Sequence, residues 1–236
     1  IWDVVPQIHE DLVRAVEAVY GETLDPGPFL RYRSWIGSDR DGNPFVTAEV
    51  TRDTLRRQRR RVLRRYMGLL ADLGEELTVS DRQVAVPEAL TASIERDLAA
   101  LGLGADDISD ELGAAVHQPF QLKIALMRRR LCGLAREARN EGAAATPEPY
   151  DARAFRSDLA LLADSLDAVG LGRIAERGRL APLRGQARTF GFHLATLDVR
   201  QHSEVHETAV AALLAAAGVE ADYGALDEDG RLAVLE

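Results

Sequence analysis

Two short segments of this sequence place an arginine among carboxylates and an aromatic or amide side chain, a combination suited to binding anions. The first is SWIGSDRDGNP at residues 34–44, and the second is DVRQ at residues 198–201. An arginine held beside carboxylates stays charged and offers a planar fork of donors to a carboxylate, bicarbonate or phosphate. The candidate site residues are Trp35, Asp39, Arg40, Asp41, Asn43, Asp198, Arg200 and Gln201.

Each segment also has a purely structural interpretation. Gly42 and Asn43 tolerate a left-handed backbone and Pro44 fixes φ, so a tight loop explains about half of the first segment. In the second segment, Asp198 and Arg200 could serve only to pin a strand to the helix that follows. The residues alone leave both interpretations open.

The spacing of the acidic residues argues against a metal site in the first segment. A calcium loop beginning at Asp39 needs glycine at its sixth position and glutamate at its twelfth. Those positions hold Pro44 and Val50. The sequence also lacks a phosphate-binding P-loop and a dinucleotide-binding glycine motif. We therefore predict no metal ligand in this chain.

The composition excludes several classes of protein. A net charge of -9 over 236 residues disfavours general binding to nucleic acid or to a membrane surface. No apolar run reaches the about 18 residues that cross a bilayer, and the start IWDVVPQIHEDL lacks the pattern of a signal peptide. The single Cys132 cannot form an intrachain disulfide, which suits a reducing compartment. The sequence predicts a cytoplasmic protein.

Apolar periodicity predicts a mainly helical chain with one or two short strands. The predicted helices span residues 4–20, 47–73, 87–101, 119–140, 151–169 and 203–217. Short strands are predicted at residues 32–36 and, buried because it is largely apolar, at residues 192–199. The segment at residues 142–149 reads as a short linker between antiparallel helices. Charged residues that follow a buried strand and precede a helix are typical of the chemistry-bearing end of an α/β barrel.

The second predicted helix contains the arginine-rich segment RRQRRRVLRRYM. An apolar stripe runs between its arginines and consists of Leu55, Val62, Leu63, Tyr66, Leu70 and Leu73. This amphipathic pattern favours a solvated or interdomain helix face over an anion-binding face.

The two charged segments resemble phosphoenolpyruvate carboxylases. SWIGSDRDGNPFVT resembles the family signature Ser-Trp-x-Gly-Gly-Asp-Arg-Asp-Gly-Asn-Pro, and LDVRQHSEVH resembles its Asp-Ile-Arg-Gln-Glu-Ser segment, in the same order. The helices between them also fit, so the resemblance covers nearly the whole chain. Three positions depart from the family: Ser38 replaces a glycine, Thr196 stands where an arginine is common, and His202 replaces a glutamate.

The resemblance implies that residues 1–236 are an internal portion of a largely helical, TIM-like α/β-barrel enzyme. Residues 1–190 would be a helical region and residues 191–236 a strand and helix of the barrel. The family's catalytic histidine, catalytic lysine, glycine-rich loop and acidic metal ligands have no match in this sequence. The resemblance thus implies that Mg2+ is held outside this chain, that the full-length protein is a homo-oligomer, usually a tetramer, and that the isolated chain is inactive.

The implied reaction joins bicarbonate to phosphoenolpyruvate and gives oxaloacetate and phosphate, an anaplerotic fixation of carbon. By the resemblance, Arg200 is the catalytic residue that touches substrate. The other candidate residues would bind substrate or form the rim of the active site. Two other functions fit the residues without the resemblance: a non-catalytic helical scaffold for oligomerisation and a nucleic-acid binder that uses the arginine-rich helix.

The serine at position 38 raises a separate question about the loop. If the family's glycine is not needed there for a positive φ, serine is tolerated. On sequence grounds, Ser38→Gly is then expected to change stability by no more than about 1 kcal/mol.

Overall fold

The computed structural model describes residues 1–22, 27, 29–104, 107, 117–139 and 150–235. The chain divides into two compact units. The first, called here the core unit, comprises Ile1–Tyr32 and Leu55–Thr196, and the second, the site unit, comprises Arg33–Thr54 and Leu197–Glu236. The predicted linker at residues 142–149 lies outside the described residues.

The core unit is built from helices. Its elements are α1 (Val4–Tyr20), most of α2 (Ala48–Glu76), α3 (Glu88–Leu101), α4 (Pro119–Glu137), α5 (Ala152–Ala168), α6 (Gly172–Arg177) and α7 (Leu180–Phe190). Residues next to the helices determine where several of them begin or end. Gly21 ends α1 with a left-handed φ of 70°, and the carboxylate of Asp151 caps α5 by accepting from the backbone N–H groups of Arg153 and Ala154.

An aromatic cluster lies in the buried core of this unit. Tyr66 of α2 is fully buried and packs edge-on against Trp2, with 5.6 Å between ring centroids. It also packs against Phe155 of α5 in a tilted arrangement at 4.9 Å. Its hydroxyl donates to the carbonyl of Gln186 at 3.2 Å. Burial raises the pKa of Tyr66 well above its usual range, so the hydroxyl stays protonated and remains a donor. Each large apolar side chain buried here contributes roughly 1.5–3 kcal/mol.

A buried ionic cluster joins α3, α4 and α5. The only lysine of the chain, Lys123, is fully buried and donates from its ammonium to Ser93 at 2.8 Å, to Asp97 at 2.7 Å and to Asp158 at 2.6 Å. An ammonium has three N–H donors, and these three acceptors use all of them. The burial of a charge is therefore compensated both by opposite charge and by hydrogen bonds.

The site unit contains fewer elements. They are β1 (Arg33–Ser34), Leu197 of β2 (Thr196–Leu197), the first turns of α2, α8 (Ser203–Ala216), a 3-10 turn (Tyr223–Ala225) and α9 (Glu228–Leu235). β1 and β2 form a two-stranded parallel sheet. The guanidinium of Arg231 contacts the Tyr223 ring at 5.4 Å and pairs with Glu207 at 2.7 Å, so α9 is tied to α8 and to the 3-10 turn.

The prediction of a mainly helical chain with short strands is confirmed. The predicted helices agree with α1 to α5 and α8 within a few residues where the structure describes them. The apolar stripe of α2 is buried from Val62 to Leu73, but Leu55 is 44% exposed. No helix in the described part of the chain is long and apolar enough to cross a membrane.

The buried strand predicted at residues 192–199 is wrong in its length and burial. Only Thr196–Leu197 is strand, and Val199 is 54% exposed. Phe192 is buried, but it lies in the turn after α7, where Gly191 has a φ of 49° and the N–H of His193 donates to the carbonyl of Phe190. The apolar run thus divides between a buried turn and the edge of a small sheet, which periodicity alone does not distinguish.

Candidate active site

Backbone hydrogen bonds join the two charged segments in the site unit. The N–H of Asp198 donates to the carbonyl of Ser34 at 3.1 Å, and the N–H of Arg200 donates to the carbonyl of Ser38 at 3.1 Å. The N–H of Arg40 in turn donates to the carbonyl of Arg200 at 2.8 Å, forming a parallel bridge between Asp39 and Arg200. The ladder of β1 and β2 therefore continues into the loop and fixes Arg200 beside it.

The side chain of Arg200 lies among three residues of that loop. Its guanidinium lies over the Trp35 ring at 4.7 Å from the centroid. Its Nη1 is 3.8 Å from the Asp39 carboxylate and its Nη2 is 3.8 Å from the Asp41 carboxylate. We call Trp35, Asp39, Asp41 and Arg200 the Arg200 cluster.

The distances within this cluster leave the guanidinium able to bind a ligand. At 3.8 Å the carboxylates attract Arg200 by charge, but this separation is too long for hydrogen bonds. A guanidinium carries five N–H donors, and the side chain of Arg200 remains 44% exposed. The indole face holds the guanidinium plane by a cation–π contact without using any donor. Arg200 is oriented by its neighbours and keeps its donors for an incoming anion.

One carboxylate oxygen of Asp39 lacks a hydrogen-bond donor among the described residues. Its Oδ1 is buried and has no hydrogen-bond partner among the described residues, as is also true of Nε of Arg40. Buried polar atoms are nearly always paired, so these two atoms are exceptions within the loop. The other end of the Arg40 guanidinium donates to Thr51 Oγ1 at 3.0 Å, and that hydroxyl donates to the carbonyl of Gly37 at 2.7 Å.

The structure gives the remaining candidate residues local partners. The Asn43 side chain accepts from the N–H of Phe45 at 3.1 Å and closes a turn. The Gln201 side chain accepts from the N–H of His202 at 2.9 Å. The carboxylate of Asp198 pairs with Arg33 at 3.2 Å, so the side-chain clamp between Asp198 and Arg200 considered above is replaced by a clamp through the backbone.

Gly37 is required by the close packing of the loop on the first turns of α2. Its φ is 78°, and a Cβ at this position would lie 2.1 Å from Oγ1 of Thr54. Both the left-handed backbone and the lack of space exclude a side chain. Arg33, Thr51 and Thr54, which orient the loop or its neighbours, are contributions that the sequence analysis missed, because their partners lie far away in sequence.

Ser38 has a structural hydrogen bond that the sequence did not reveal. The residue is fully buried, and its hydroxyl lies 2.9 Å from the carbonyl of Asp198 and 3.4 Å from that of Ser34. The hydroxyl thus joins the two segments of the site. Serine at this position supplies a contact that a glycine lacks.

We expect Ser38→Ala to lower the free energy of unfolding by about 1–2 kcal/mol, because the two carbonyls lose a donor inside the protein. Ser38→Gly should lower it further, since glycine adds freedom to the unfolded chain. Urea denaturation of the 236-residue chain measures both changes. Ser203→Ala, an exposed serine of the same unit, is the matched control. A Ser38→Gly variant as stable as the wild type would contradict the assigned hydrogen bond.

Comparison with known proteins decides the family. The family model described as phosphoenolpyruvate carboxylase matches residues 1–236. The chain belongs to the phosphoenolpyruvate carboxylase family. The resemblance found in the two charged segments is therefore confirmed over the whole chain.

Relatives in this family show how much of the protein the chain represents. A phosphoenolpyruvate carboxylase of Rhodothermus marinus is 52% identical over 235 residues, covering 100% of this chain and 24% of the relative. One from Azorhizobium caulinodans is 44% identical over 216 residues, covering 88% and 22%, and one from Rhodopseudomonas palustris strain HaA2 is 40% identical over 237 residues, covering 98% and 24%. The chain spans about a quarter of the length of these curated relatives.

Proposed function

We propose that this chain is an internal portion of an enzyme that carboxylates phosphoenolpyruvate with bicarbonate, and that Arg200 contacts the anionic reactants. The observation that carries the proposal is the geometry of Arg200, which is held by Trp35, Asp39 and Asp41 while its donors stay accessible. Membership of the phosphoenolpyruvate carboxylase family supports the choice of substrates.

The reaction that the family implies needs stabilisation of negative charge at every step. An oxygen of bicarbonate attacks the phosphorus of phosphoenolpyruvate, and the bond from phosphorus to the enol oxygen breaks, giving carboxyphosphate and the enolate of pyruvate. Carboxyphosphate then yields CO2 and phosphate, and the enolate carbon attacks CO2 to give oxaloacetate. Preoriented cationic donors stabilise such anions best where water is excluded.

Each residue of the Arg200 cluster would contribute to stabilising these anions. Arg200 would donate to an oxygen of phosphoenolpyruvate or carboxyphosphate, with its planar fork matched to two oxygens. Trp35 would shield that side of the reactants from water. Asp39 and Asp41 would keep the guanidinium in place by charge attraction.

Four other residues would support the rim of the active site. Asp198 holds Arg33, and Arg40 joins the loop to the first turns of α2 through Thr51. Asn43 closes the turn, and Gln201 accepts from the backbone at the start of α8. These contacts support a positioning role for all four.

The Mg2+ that the resemblance implies is assigned to residues outside this chain. Among the described residues there is no group of three or more histidine, cysteine, aspartate or glutamate side chains arranged to hold a metal ion. The carboxylates of Asp39 and Asp41 already face the guanidinium of Arg200, and a positive group at that position repels a second cation.

In this proposal, the rest of the parent polypeptide completes the active site and the fold. It would supply the other strands of a TIM-like barrel, the catalytic histidine and lysine, and the contacts that form a homo-oligomer such as a tetramer. We place the protein in the cytoplasm as part of this proposal, and the single Cys132 of the chain suits a reducing compartment.

The isolated 236-residue chain is expected to make no oxaloacetate. Within the Arg200 cluster one arginine faces two aspartates, so the cluster alone has a net negative charge and needs cationic groups from elsewhere to bind anions. An assay coupled to malate dehydrogenase, with phosphoenolpyruvate, bicarbonate and Mg2+, measures turnover. The full-length protein is the positive control. Turnover by the isolated chain at a rate near that of the full-length protein would overturn its assignment as an incomplete portion.

A further inference from the structure

The hydroxyl of Thr51, in the first turns of α2, bonds most closely to the loop of residues 34–44 and not to its own helix. Its Oγ1 donates to the carbonyl of Gly37 at 2.7 Å, whereas the carbonyl of Thr47, one turn earlier in the chain, lies at 3.3 Å. A threonine hydroxyl has one proton, so the shorter contact takes it. The same oxygen accepts from Nη2 of Arg40 at 3.0 Å. Thr51 therefore makes two hydrogen bonds to one loop.

Two other helical threonines of the chain behave differently. The hydroxyls of Thr54 and Thr208 each donate at 2.8 Å to the carbonyl four residues earlier in their own helix. That carbonyl is the local acceptor available to a threonine hydroxyl inside a helix. Thr51 departs from this pattern although it lies only one turn before Thr54. The loop, and not the helix, offers the Thr51 hydroxyl its closest acceptor.

The two partners of Thr51 lie next to the backbone bridge that holds Arg200. The carbonyl of Gly37 belongs to the peptide group that joins Gly37 to Ser38, and the carbonyl of Ser38 accepts from the N–H of Arg200 at 3.1 Å. On the other side of the bridge, the N–H of Arg40 donates to the carbonyl of Arg200 at 2.8 Å. Thr51 thus holds the loop at both points where it bonds to the backbone of Arg200.

The guanidinium of Arg40 depends on Thr51. Within the described part of the chain, the bond to Thr51 is the one hydrogen bond of this side chain, and its Nε is buried without a partner. Removal of the Thr51 hydroxyl would take away that bond and would also leave the carbonyl of Gly37 without its side-chain donor. Partly buried groups that lose their partners are costly, so the loop should move to find new ones.

We propose that Thr51 is a positioning residue for Arg200, which acts through the loop and does not touch the reactants. This role rests on the proposed function, in which Arg200 contacts the anionic reactants. Trp35, Asp39 and Asp41, which orient the guanidinium, all lie on the loop that Thr51 holds. A donor stabilises developing charge only when it is aimed at it, and a displacement of about 1 Å can cost on the order of 10²-fold in rate.

Thr51→Val in the full-length enzyme removes the hydroxyl and keeps the shape of the side chain, and we expect it to lower kcat about tenfold. Thr51→Ser should stay within about twofold of the wild type, because it keeps the donor and the acceptor. Thr208→Val makes the same change in a helix without a loop contact and is the matched control. Turnover is referred to the folded fraction from thermal melts, and Thr51→Ala replaces Thr51→Val if that variant does not fold.

A double-mutant cycle with Arg200→Lys distinguishes positioning from a general structural role. If Thr51 acts through Arg200, Thr51→Val should lower kcat by less than about twofold once the planar guanidinium is gone. A general loss of structure would instead give the same factor in both backgrounds. That result, or a Thr51→Ser variant as slow as Thr51→Val, would overturn the role of Thr51.

A readout without turnover keeps the role of Thr51 separate from the proposed function. In the 236-residue chain labelled with fluorotryptophan, the fluorine resonance that disappears in Trp35→Phe reports on the guanidinium over the Trp35 ring. Arg200→Gln should shift this resonance, Thr51→Val should shift it in the same direction, and Thr51→Ser and Thr208→Val should leave it in place. If Arg200→Lys keeps wild-type turnover, the proposed function of Arg200 fails, and the resonance alone decides whether Thr51 positions it. A resonance that Thr51→Val does not move contradicts the proposal.

Discussion

Arg200→Lys in the full-length enzyme is expected to lower the rate of carboxylation on the order of 10²-fold or more, as for removal of one preorganised donor. Lysine keeps the positive charge near Asp39 and Asp41. It loses the planar fork that would bind two oxygens at once and the flat face that lies over Trp35 at 4.7 Å. The loss should appear in kcat as well as in kcat/KM, because the donors act most strongly on the charge that develops during reaction.

The measurement must distinguish a loss of catalytic turnover from a loss of folded protein. Turnover in the assay coupled to malate dehydrogenase and the melting temperature should be recorded on one preparation. The backbone groups of Arg200 that bond to Ser38 and Arg40 are unaffected by the substitution, so the fold should survive. Arg173→Lys is the matched control for the same chemical change at an exposed position. A melting temperature that falls while each folded molecule keeps wild-type turnover would show that Arg200 is only structural.

Lys123→Met is expected to lower the free energy of unfolding of the core unit by about 3–5 kcal/mol. Methionine fills much the same volume, but Asp97 and Asp158 lose the ammonium that lies 2.7 Å and 2.6 Å from them. Asp97 retains Arg130, and Asp158 retains the hydroxyl of Tyr150 at 2.7 Å. Burial, and next to it the charge of Asp158, raises the pKa of Tyr150 well above its usual range, so this hydroxyl remains a neutral donor that cannot balance the carboxylate.

Denaturation with urea, followed by circular dichroism, measures this effect on the 236-residue chain. Arg173→Met removes one positive charge from an exposed helix position and should change stability by less than about 0.5 kcal/mol. Lys123→Arg is also expected to destabilise, because the nitrogens of a planar guanidinium cannot each donate to three acceptors that surround one point, as the ammonium nitrogen does. A Lys123→Met variant within 1 kcal/mol of the wild type would show that the ionic cluster does not stabilise the core.

Much of the helical structure was predictable from the sequence. The helices α1, α3, α5 and α8 follow from apolar residues at helical spacing and from local stops such as Gly21. Their ends depend on groups within a few residues, such as the carboxylate of Asp151 at the start of α5. The two charged segments of the candidate site were also visible, because an arginine among aspartates beside a tryptophan exceeds what a turn requires.

The strand at residues 192–199 shows where local patterns fail. Phe192 and Val199 belong to one apolar run, yet the first is buried and the second is 54% exposed. The difference arises from Gly191, whose φ of 49° turns the chain after α7 before the short strand begins. An apolar run indicates that burial of its side chains is favourable, but it does not specify which of those side chains the surrounding structure covers.

The sequence by itself determined most of the helices, the family and the two charged segments of the candidate site, because these depend on neighbouring residues or on a continuous motif. Only the tertiary structure decided that Arg200 lies between Asp39 and Asp41, that Ser38 bonds to Asp198, and that Lys123 is buried among acids. The energies of ion pairs and hydrogen bonds fall steeply with distance, and the distance between residues far apart in sequence is set by packing.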